Sequence, residues 1–578
     1  MNEPNTIVNP ELRDLLAKKL DLRRRQFLDL DIAFPSRLRP CLIKVLLVAD
    51  SFLYFSDEDF GLSDFIETLA TTTPPWVKFE ITCAHRGSPG HTRLGVGNPH
   101  VARTIANFRF DDASHFGNGM YDQVWFFGAR TDSFEPATGT SPGKPPDSEL
   151  KAIATFMDAG GGVFATGDHG ALGAALCGHI PRVRSMRAWF ADSAPFGAPT
   201  STSMSDGHRH DTNRPGHDGV FSFDDQSDDI PQEIAPKMYL RRVGFFRYSF
   251  PHPLLCGPEG IIKVMPDHPH EGECTAAHET DRVFSFSGTD FTEYPSGAAG
   301  APVLPEIIAT SQVLPNNAHP GKSETQPKSF GSICTYDGAQ AGVGRVVTDA
   351  TWHHFININL TGTAGVPMSD PKSVGFLTPA GAPHYRKIQA YFRNIATWIS
   401  PKARRDCMAL RAIWWALWQE RLLEAVTDGR PRRLGLMEIK ELVTIGAFAR
   451  DVLGKFAGRC QVRGWIIDPI RPVLPTFVVR ELDPWIPRPE LPEPPIPPDP
   501  APWMDTEPLL DAVLGAQIVA LRERFPEDPG EAEKGLEEEI QAISEKAAFH
   551  ALTLYADAAE IATEGMNKFT LRFRESLR

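Results

Sequence analysis

The sequence predicts an α/β protein in which helices cover both faces of a parallel sheet, with a large loop-rich insertion and a C-terminal α-helical region. Between residues 41 and 167, short apolar runs of strand length alternate with amphipathic helical segments. The runs are apolar almost throughout, which is typical of parallel strands buried on both faces. Three of them end at Asp50, at Gly128 and at a Gly-Asp-His-Gly turn, and ligands of such sheets bind beyond the carboxyl ends of the strands.

The first elements alternate between strands and helices. In order they are CLIKVLLVA (41–49, strand), LSDFIETLA (62–70, helix), VKFEITCA (77–84, strand), YDQVWFFGA (121–129, strand), DSELKAIATFMDAG (147–160, helix) and GVFATG (162–167, strand). Asp147 or Ser148 is the expected N-cap of the second helix, because short polar side chains accept hydrogen bonds from its first N–H groups.

The segment from about 180 to 340 is less regular. It is rich in Pro, Gly, His and Asp and carries short strand patterns in GIIKVM, DRVFSFSG and EIIATSQVL. A late strand (GRVVTDATWHHF, 344–355) and an amphipathic helix (382–400) follow it. We therefore expect residues 40–400 to form one α/β domain with an insertion at about 180–340.

Outside residues 40–400 the sequence predicts helices and a proline-rich segment and no further strands. Residues 1–39 predict an N-terminal helical arm, 401–482 a helical region, 483–503 a proline-rich linker in extended conformation, and 504–578 a C-terminal helical segment. Trp414, Trp415 and Trp418 have helical spacing and are expected in the core or an interface.

Composition excludes several classes of function. The 578 residues carry 59 Lys and Arg against 73 Asp and Glu, a net charge of −14, which argues against a nucleic-acid partner. No apolar run approaches the roughly 20 residues of a membrane-spanning helix, and the first residues do not resemble a secretory signal. The eight cysteines are scattered singly, so we expect reduced, mostly buried thiols in a cytoplasmic protein.

The turn GDHG (167–170) is the first candidate site. A strand that turns sharply into a helix exposes the side chain at its apex, here His169, and directs the N–H groups of Gly167, Gly170 and their neighbours toward a ligand. The positive end of a helix disfavours a protonated imidazole, so His169 is expected to be a neutral base, hydrogen-bond partner or metal ligand. A histidine that only satisfies the backbone of the turn is the alternative.

The second candidate is the histidine pair His353–His354 after the late strand. Adjacent side chains of an extended chain point in opposite directions, so one of the two is expected to face the cleft and the other to pack behind it.

Two loop segments carry further histidines. His208 and His210 have the His-x-His spacing that suits a transition metal, although their polar, Gly- and Pro-rich surroundings equally predict a solvated loop. His252 lies in another Pro-rich loop, where lining a pocket and ordinary turn chemistry are equally consistent with the sequence.

Together these motifs resemble the class I glutamine amidotransferase-like superfamily, and within it the ThuA-like, trehalose-utilisation branch. The resemblance covers residues 40–400 and is most specific from Tyr121 to Gly173; KVLLVADSF, HPLLCG and GRVVTDATWHHF carry the rest. It implies a flavodoxin-like sheet with a pocket at the turn. The glutaminases have a Cys at the apex, whereas this chain has His169, as the ThuA-like branch tends to have. Cys177 lies about two helical turns further along and cannot reach the apex.

Two hypotheses follow. In the first, the chain is an enzyme, hydrolase-like or metal-assisted, that lacks the Cys nucleophile and acts on a small polar metabolite, with carbohydrates among the candidate classes. Asp168, His169 and His353 or His354 would converge as the catalytic groups, with Asp50, Gly128, Gly167, Gly170 and His252 around the substrate and a divalent metal as the one cofactor left open. In the second, the domain is a catalytically inactive binding or assembly module. Its C-terminal helices would then join copies of the chain or hold a protein partner.

Overall fold

The structure, a computed structural model, describes the greater part of the chain. The described residues are 39–131, 144–168, 172–190, 200–201, 232–243, 246–266, 272–276, 282–297, 300–313, 327–362, 374–419, 422, 433–471, 474, 479, 482–486, 506–526 and 535–577. The predicted N-terminal arm and most of the proline-rich linker fall outside them, as do His169, Gly170, His208 and His210.

Nineteen strands lie in the described residues. They are β1 (Cys41–Ala49), β2 (Val77–His85), β3 (Val101–Ile105), β4 (Gln123–Phe127), β5 (Gly162–Thr166), β6 (Arg187–Phe190), β7 (Thr200–Ser201), β8 (Gln232–Pro236), β9 (Met238–Val243), β10 (Phe246–Pro251), β11 (Cys256–Gly257), β12 (Gly260–Ile261), β13 (Val264–Met265), β14 (Glu273–Cys274), β15 (Val283–Phe286), β16 (Thr289–Thr292), β17 (Glu306–Val313), β18 (Lys328–Tyr336) and β19 (Val346–Asp349).

The main sheet is mixed and mostly parallel in its first half. Its order is β13-β8-β17-β18-β19-β5-β4-β1-β2-β3, and the strands from β19 to β3 pair in parallel. The strands of the insertion extend it antiparallel from β19 through β18, β17, β8 and β13. The α/β class is therefore confirmed, and the segment predicted as an insertion supplies strands that complete the sheet.

Ten helices lie in the described residues. They are α1 (Ser63–Thr71), α2 (Asp147–Asp158), α3 (Ala174–Cys177), α4 (Asn357–Leu360), α5 (Ala382–Trp398), α6 (Lys402–Leu417), α7 (Ile439–Leu453), α8 (Arg459–Ile470), α9 (Thr506–Arg524) and α10 (Leu536–Ser576). None of them is both long and apolar enough to span a bilayer.

Alternate side chains of the central strands pack into two hydrophobic cores, one on each face of the sheet. In β1, Val45 and Leu47 belong to a core with α1 and α5, whereas Leu46 and Val48 belong to a second core with α2 and α3. This is the pattern of a strand buried on both faces. The fold is thus three-layered, and the apolar runs of the sequence reflect burial on both sides.

The C-terminal helices share the first of these cores. Trp76, just before β2, packs its ring 5.1 Å from Trp415 on α6 and 5.6 Å from Trp465 on α8. Helices α7 and α9 meet at Gly446 and Gly515; a Cβ on Gly446 would lie 1.7 Å from the carbonyl oxygen of Asp511. Buried Trp414 and Trp415 confirm the expectation that these tryptophans belong to the core.

One covalent link joins the same two regions. Cys41 on β1 and Cys407 on α6 form a disulfide, whose Cα atoms lie 6.1 Å apart. The expectation of reduced thiols is wrong for this pair. It holds for the six other cysteines, which are free and buried.

Several element boundaries differ from the prediction. The N-cap of α2 is Pro146 and no side chain caps the helix, so the expected cap at Asp147 or Ser148 is wrong. The helix after the GDHG turn has only four residues, and the last helical segment is divided into α9 and α10. Strand β3 (VARTI) was not predicted, because only one of its five residues is buried at the sheet edge.

We expect that breaking the disulfide lowers stability, because it connects residues 366 positions apart in sequence. Cys407→Ser should cost about 3 kcal/mol of unfolding free energy, within the usual range for a lost native disulfide. Thermal unfolding with and without dithiothreitol checks this: reductant should lower the Tm of the wild type to that of the variant and leave the variant unchanged. A wild-type Tm that does not change with reductant and equals that of the variant would contradict the Cys41–Cys407 disulfide.

Candidate functional site

The parallel strands β1, β4, β5 and β19 end at one edge of the sheet, here called the carboxyl edge. Asp50 follows β1, Gly128 follows β4, Gly167 and Asp168 follow β5, and Asp349 ends β19. The structure thus brings together the strand ends that the sequence singled out. This is where ligands of open α/β sheets bind.

Close glycine contacts shape the turn after β5. A Cβ on Gly128 would lie 2.8 Å from the Cα of Gly173, and a Cβ on Gly167 would lie 2.4 Å from the carbonyl oxygen of Leu172. Gly173 itself has a φ of +92°, which side chains rarely adopt. The turn can therefore fold back on the end of β4 only because these positions are glycines.

The N–H groups described around this turn are used inside the protein. Asp168 N–H donates to the Leu172 carbonyl, and the N–H groups of Gly173 and Ala175 both donate to the Arg130 carbonyl, at 3.0, 3.1 and 3.2 Å. The helix behind the turn has four residues, and the N–H groups of His169 and Gly170, which the sequence predicts to face a ligand, lie outside the described residues.

Asp168 faces His353. The Nε2 atom of His353 lies 3.5 Å from Oδ2 of Asp168, and its Nδ1 atom lies 3.0 Å from Oδ1 of Asn359. The ring of His353 stacks on Trp352 with centroids 4.2 Å apart. The hydrogen bond to Asn359 and the stacking on Trp352 fix the plane of the imidazole, and Nε2 then faces the Asp168 carboxylate. Asp168 is fully buried, and His353 is 6% exposed.

The local chain explains how His353 reaches this position. Residues 352–354 form one 3₁₀ turn, so the backbone has already left the extended conformation of β19. The Thr351 hydroxyl caps this turn by accepting a hydrogen bond from the N–H of His353 at 3.0 Å. The two histidines accordingly point to different partners, as the sequence predicted.

His354 lies in a second, deeper cluster. Its Nδ1 is 2.8 Å from Oδ1 of Asp349, and the Tyr391 hydroxyl donates to Oδ2 of the same carboxylate at 2.7 Å. All three side chains are fully buried, and burial raises the pKa of Tyr391 well above its ordinary value. This cluster anchors β19 to helix α5 behind His353.

A buried arginine connects the two strand ends. Arg187, at the start of β6, donates to the carbonyl oxygens of Asp349 at 3.0 Å and Ala350 at 2.5 Å, and also to that of Asp168. Burial lowers the pKa of this guanidinium. Sequence reasoning missed Arg187; the signal was a lone cation in the otherwise apolar stretch MRAWF.

Asp50 holds the loop after β4. Its Oδ1 accepts from the N–H groups of Ala129 at 2.6 Å and Arg130 at 3.1 Å. Burial raises its pKa to about 6. Because Asp50 is almost completely buried and engaged by backbone, the structure gives it a positioning role in place of the substrate contact predicted from sequence.

The nearest cysteine is inert. The Cys177 thiol lies beneath the turn and donates to the Thr166 carbonyl at 3.4 Å, and burial raises its pKa. A thiolate nucleophile is therefore not formed here at neutral pH.

His252 does not belong to this site. It lies between β10 and β11, against Trp398 at the end of α5, with ring centroids 5.1 Å apart. That is the opposite edge of the sheet, so its predicted place beside Asp50 and Gly128 is wrong. The loop that carries it passes over the beginning of β19, and that placement depends on long-range packing.

Metal binding was predicted from residues that the structure does not describe. His208 and His210 lie outside the described residues, as does His169. Within the described ranges, no group of three or more His, Cys, Asp or Glu side chains could hold a metal ion.

No protein-family model matches the chain, and no curated protein matches it.

The Asp349 cluster predicts a stability effect. Tyr391→Phe removes the hydroxyl that donates to the carboxylate and should cost about 1–3 kcal/mol, the usual worth of a buried hydrogen bond to a charged group. Tyr336→Phe is the matched control, because no described residue accepts from its buried hydroxyl. Equal unfolding free energies for the two variants, measured by urea denaturation, would contradict the anchoring role.

Asp50 predicts a pH dependence. Its folded pKa of about 6 lies above its ordinary value of 3.8, so its contribution to stability is complete below pH 3.8 and is lost as the pH rises to about 6. Relative to Asp50→Asn, the wild type should lose about 3 kcal/mol over that interval. Urea unfolding between pH 3.5 and 7 measures it, with the exposed Asp57→Asn as control. A difference between wild type and Asp50→Asn that stays constant with pH would refute it.

Proposed function

We propose that this chain is an enzyme of the amidotransferase-like fold that acts on a small polar metabolite, with carbohydrates among the candidate classes. Asp168 and His353 would serve as its acid–base pair. The observation that carries the proposal is the contact of His353 with Asp168, the residue directly before the apex of the GDHG turn. The resemblance to the ThuA-like branch belongs to the same proposal. So does a cytoplasmic location, which the six free, buried cysteines support and the Cys41–Cys407 disulfide opposes.

The reaction would use the imidazole of His353 as its acid–base group and would not use a cysteine thiolate as nucleophile. Nδ1–H of His353 would donate to Oδ1 of Asn359, which fixes the ring and leaves the lone pair on Nε2. Nε2 would take a proton from substrate or water, and the carboxylate of Asp168, 3.5 Å from Nε2, would stabilise the charge that the ring then acquires. The buried thiol of Cys177 supports a reaction without a cysteine nucleophile.

A second candidate function is binding without catalysis. Its support is the depth of the carboxyl edge, where Asp50, Asp168 and His354 are almost completely buried and contacted by protein groups. In that case the domain would hold a ligand or a partner, with the C-terminal helices serving assembly.

A thermal-shift screen followed by turnover assays tests the proposal. The panel comprises small sugars, polyols, hydroxy acids, amides and divalent cations. For a compound that raises the wild-type Tm, His169→Ala and His353→Gln should abolish turnover, whereas the exposed control His91→Ala should retain it. Turnover that survives His353→Gln would contradict the acid–base role. Binding without turnover of any bound compound would favour the second function.

A further inference from the structure

Helix α10 is much longer than the helix it packs against. It has 41 residues, a length of about 60 Å at 1.5 Å per residue, whereas its neighbour α9 has 19 residues. The buried side chains of α10 all lie in its first half, between Leu536 and Ala551. From residue 560 to residue 577 every position is exposed. The described part of the chain therefore covers the first half of α10 and leaves the second half in solvent.

The buried face of the first half continues into the exposed half. With 3.6 residues per turn, the buried side chains of Ile540, Ala547 and Ala551 belong to one apolar stripe along the helix. Further along the helix the same stripe contains Ala558, Ala562, Gly565, Met566, Phe569 and Phe573. The last three large side chains of this stripe are each more than half exposed. A continuous exposed stripe of this kind marks an interaction surface.

The opposite side of the exposed half is polar, apart from Leu571. It carries the side chains of Glu560, Glu564, Asn567 and Arg574. The helix is therefore amphipathic over its whole length. Most of the stability of such a helix comes from packing of its apolar face, which requires a partner for the second half as well.

Small and bulky residues are separated along the exposed stripe. Ala558 and Ala562 precede its midpoint at Gly565, and Phe569 and Phe573 follow it. If two identical helices pack antiparallel about this midpoint, the alanines of each lie opposite the phenylalanines of the other. A parallel pair would place bulky residues against bulky ones and small against small, which fills space poorly. At Gly565 a Cβ would meet no atom within 4 Å, and its absence lets two backbones approach closely.

The charges of the exposed half are separated in the same way. The charged residues before the midpoint are all acidic, and three of the four after it are basic: Asp557, Glu560 and Glu564, then Lys568, Arg572, Arg574 and Glu575. Within the helix Lys568 lies 3.6 Å from Glu564, and because both side chains are exposed this ion pair contributes little. Antiparallel pairing brings the acidic half of one helix to the basic half of the other, whereas parallel pairing brings like charges together.

We propose that two copies of this chain associate through the second half of α10, packed antiparallel about a two-fold axis near Gly565. Each copy covers the apolar stripe of the other with the same surface, as a two-fold interface requires. The paired segments are about 20 residues long and extend over about 30 Å. This association makes no use of the Asp168–His353 site, so it is independent of which proposed function is correct.

Light scattering coupled to size-exclusion chromatography of the full chain tests the association. The wild type should have twice the mass of one chain at micromolar concentration. Phe569→Glu places a charge in the interface and should raise the dissociation constant of the dimer by about 30-fold or more, as loss of an interface hot spot does. Leu571→Glu is the matched control and should stay dimeric, because Leu571 is 60% exposed, against 64% for Phe569, but lies on the opposite side of the helix.

Two results would overturn the association. One is a monomeric wild type, which is expected if another segment of the same chain covers the stripe. The other is an equal effect of Phe569→Glu and Leu571→Glu on the mass, which would place the interface elsewhere. Both substituted side chains are exposed in the single chain, so neither variant should lower the Tm of the monomer.

Disulfide cross-linking tests the antiparallel orientation. Gly565→Cys places a thiol of each copy beside the axis, so mild oxidation should give a covalent dimer on a non-reducing gel. Ala558→Cys is the control, because its two thiols would lie about 20 Å apart in an antiparallel pair, far beyond the reach of a disulfide. In a parallel pair the same two thiols would be in contact. Cross-linking of Ala558→Cys as efficient as that of Gly565→Cys, or no cross-linking of Gly565→Cys, would contradict the proposed packing.

Discussion

The carboxyl edge depends on one buried guanidinium. Arg187 donates to the backbone of Asp168 after β5 and to that of Asp349 and Ala350 at the end of β19. These two strands pair in parallel, and the Trp352 N–H adds a hydrogen bond of 2.9 Å to the Gly167 carbonyl between the loops that follow them. Together with the three carbonyls that share the Arg187 cation, this bond holds the loops close enough for the Asp168 side chain to meet His353. Removal of Arg187 would leave those carbonyls buried without a donor, which costs far more than a surface contact.

The two edges of the sheet are lined differently. The carboxyl edge gathers carboxylates around two histidines, and its positions are set by glycine contacts and strand ends. The opposite edge gathers arginines paired with carboxylates, together with tryptophans, and the C-terminal helices supply part of its wall. The helical region therefore does more than extend the core, since it encloses a cavity that the α/β domain alone would leave open.

Local pattern was sufficient to predict the elements whose burial is strongest. Strand β1 and helix α5 follow directly from apolar runs and from helical spacing, and the same strand ends located Asp168 and His353. The predictions that failed concern contacts between residues that are distant in sequence. Cys41 and Cys407 are 366 positions apart, and no spacing rule pairs them. His252 sits at the wrong edge for the predicted site because packing against Trp398 determines its loop. Arg187 could not be identified from the sequence as a site residue, because its hydrogen-bond acceptors are backbone carbonyl oxygens, which every residue has.

The central claim is that Asp168 and His353 act as one acid–base unit. The most direct measurement is a double-mutant cycle on turnover of a substrate found by screening, with Asp168→Asn, His353→Gln and the double variant. We predict that each single change lowers kcat about 100-fold or more and that the double variant loses little beyond the larger single loss, because groups that act together are not additive. Losses that multiply in the double variant, or a single variant with wild-type kcat, would contradict the account.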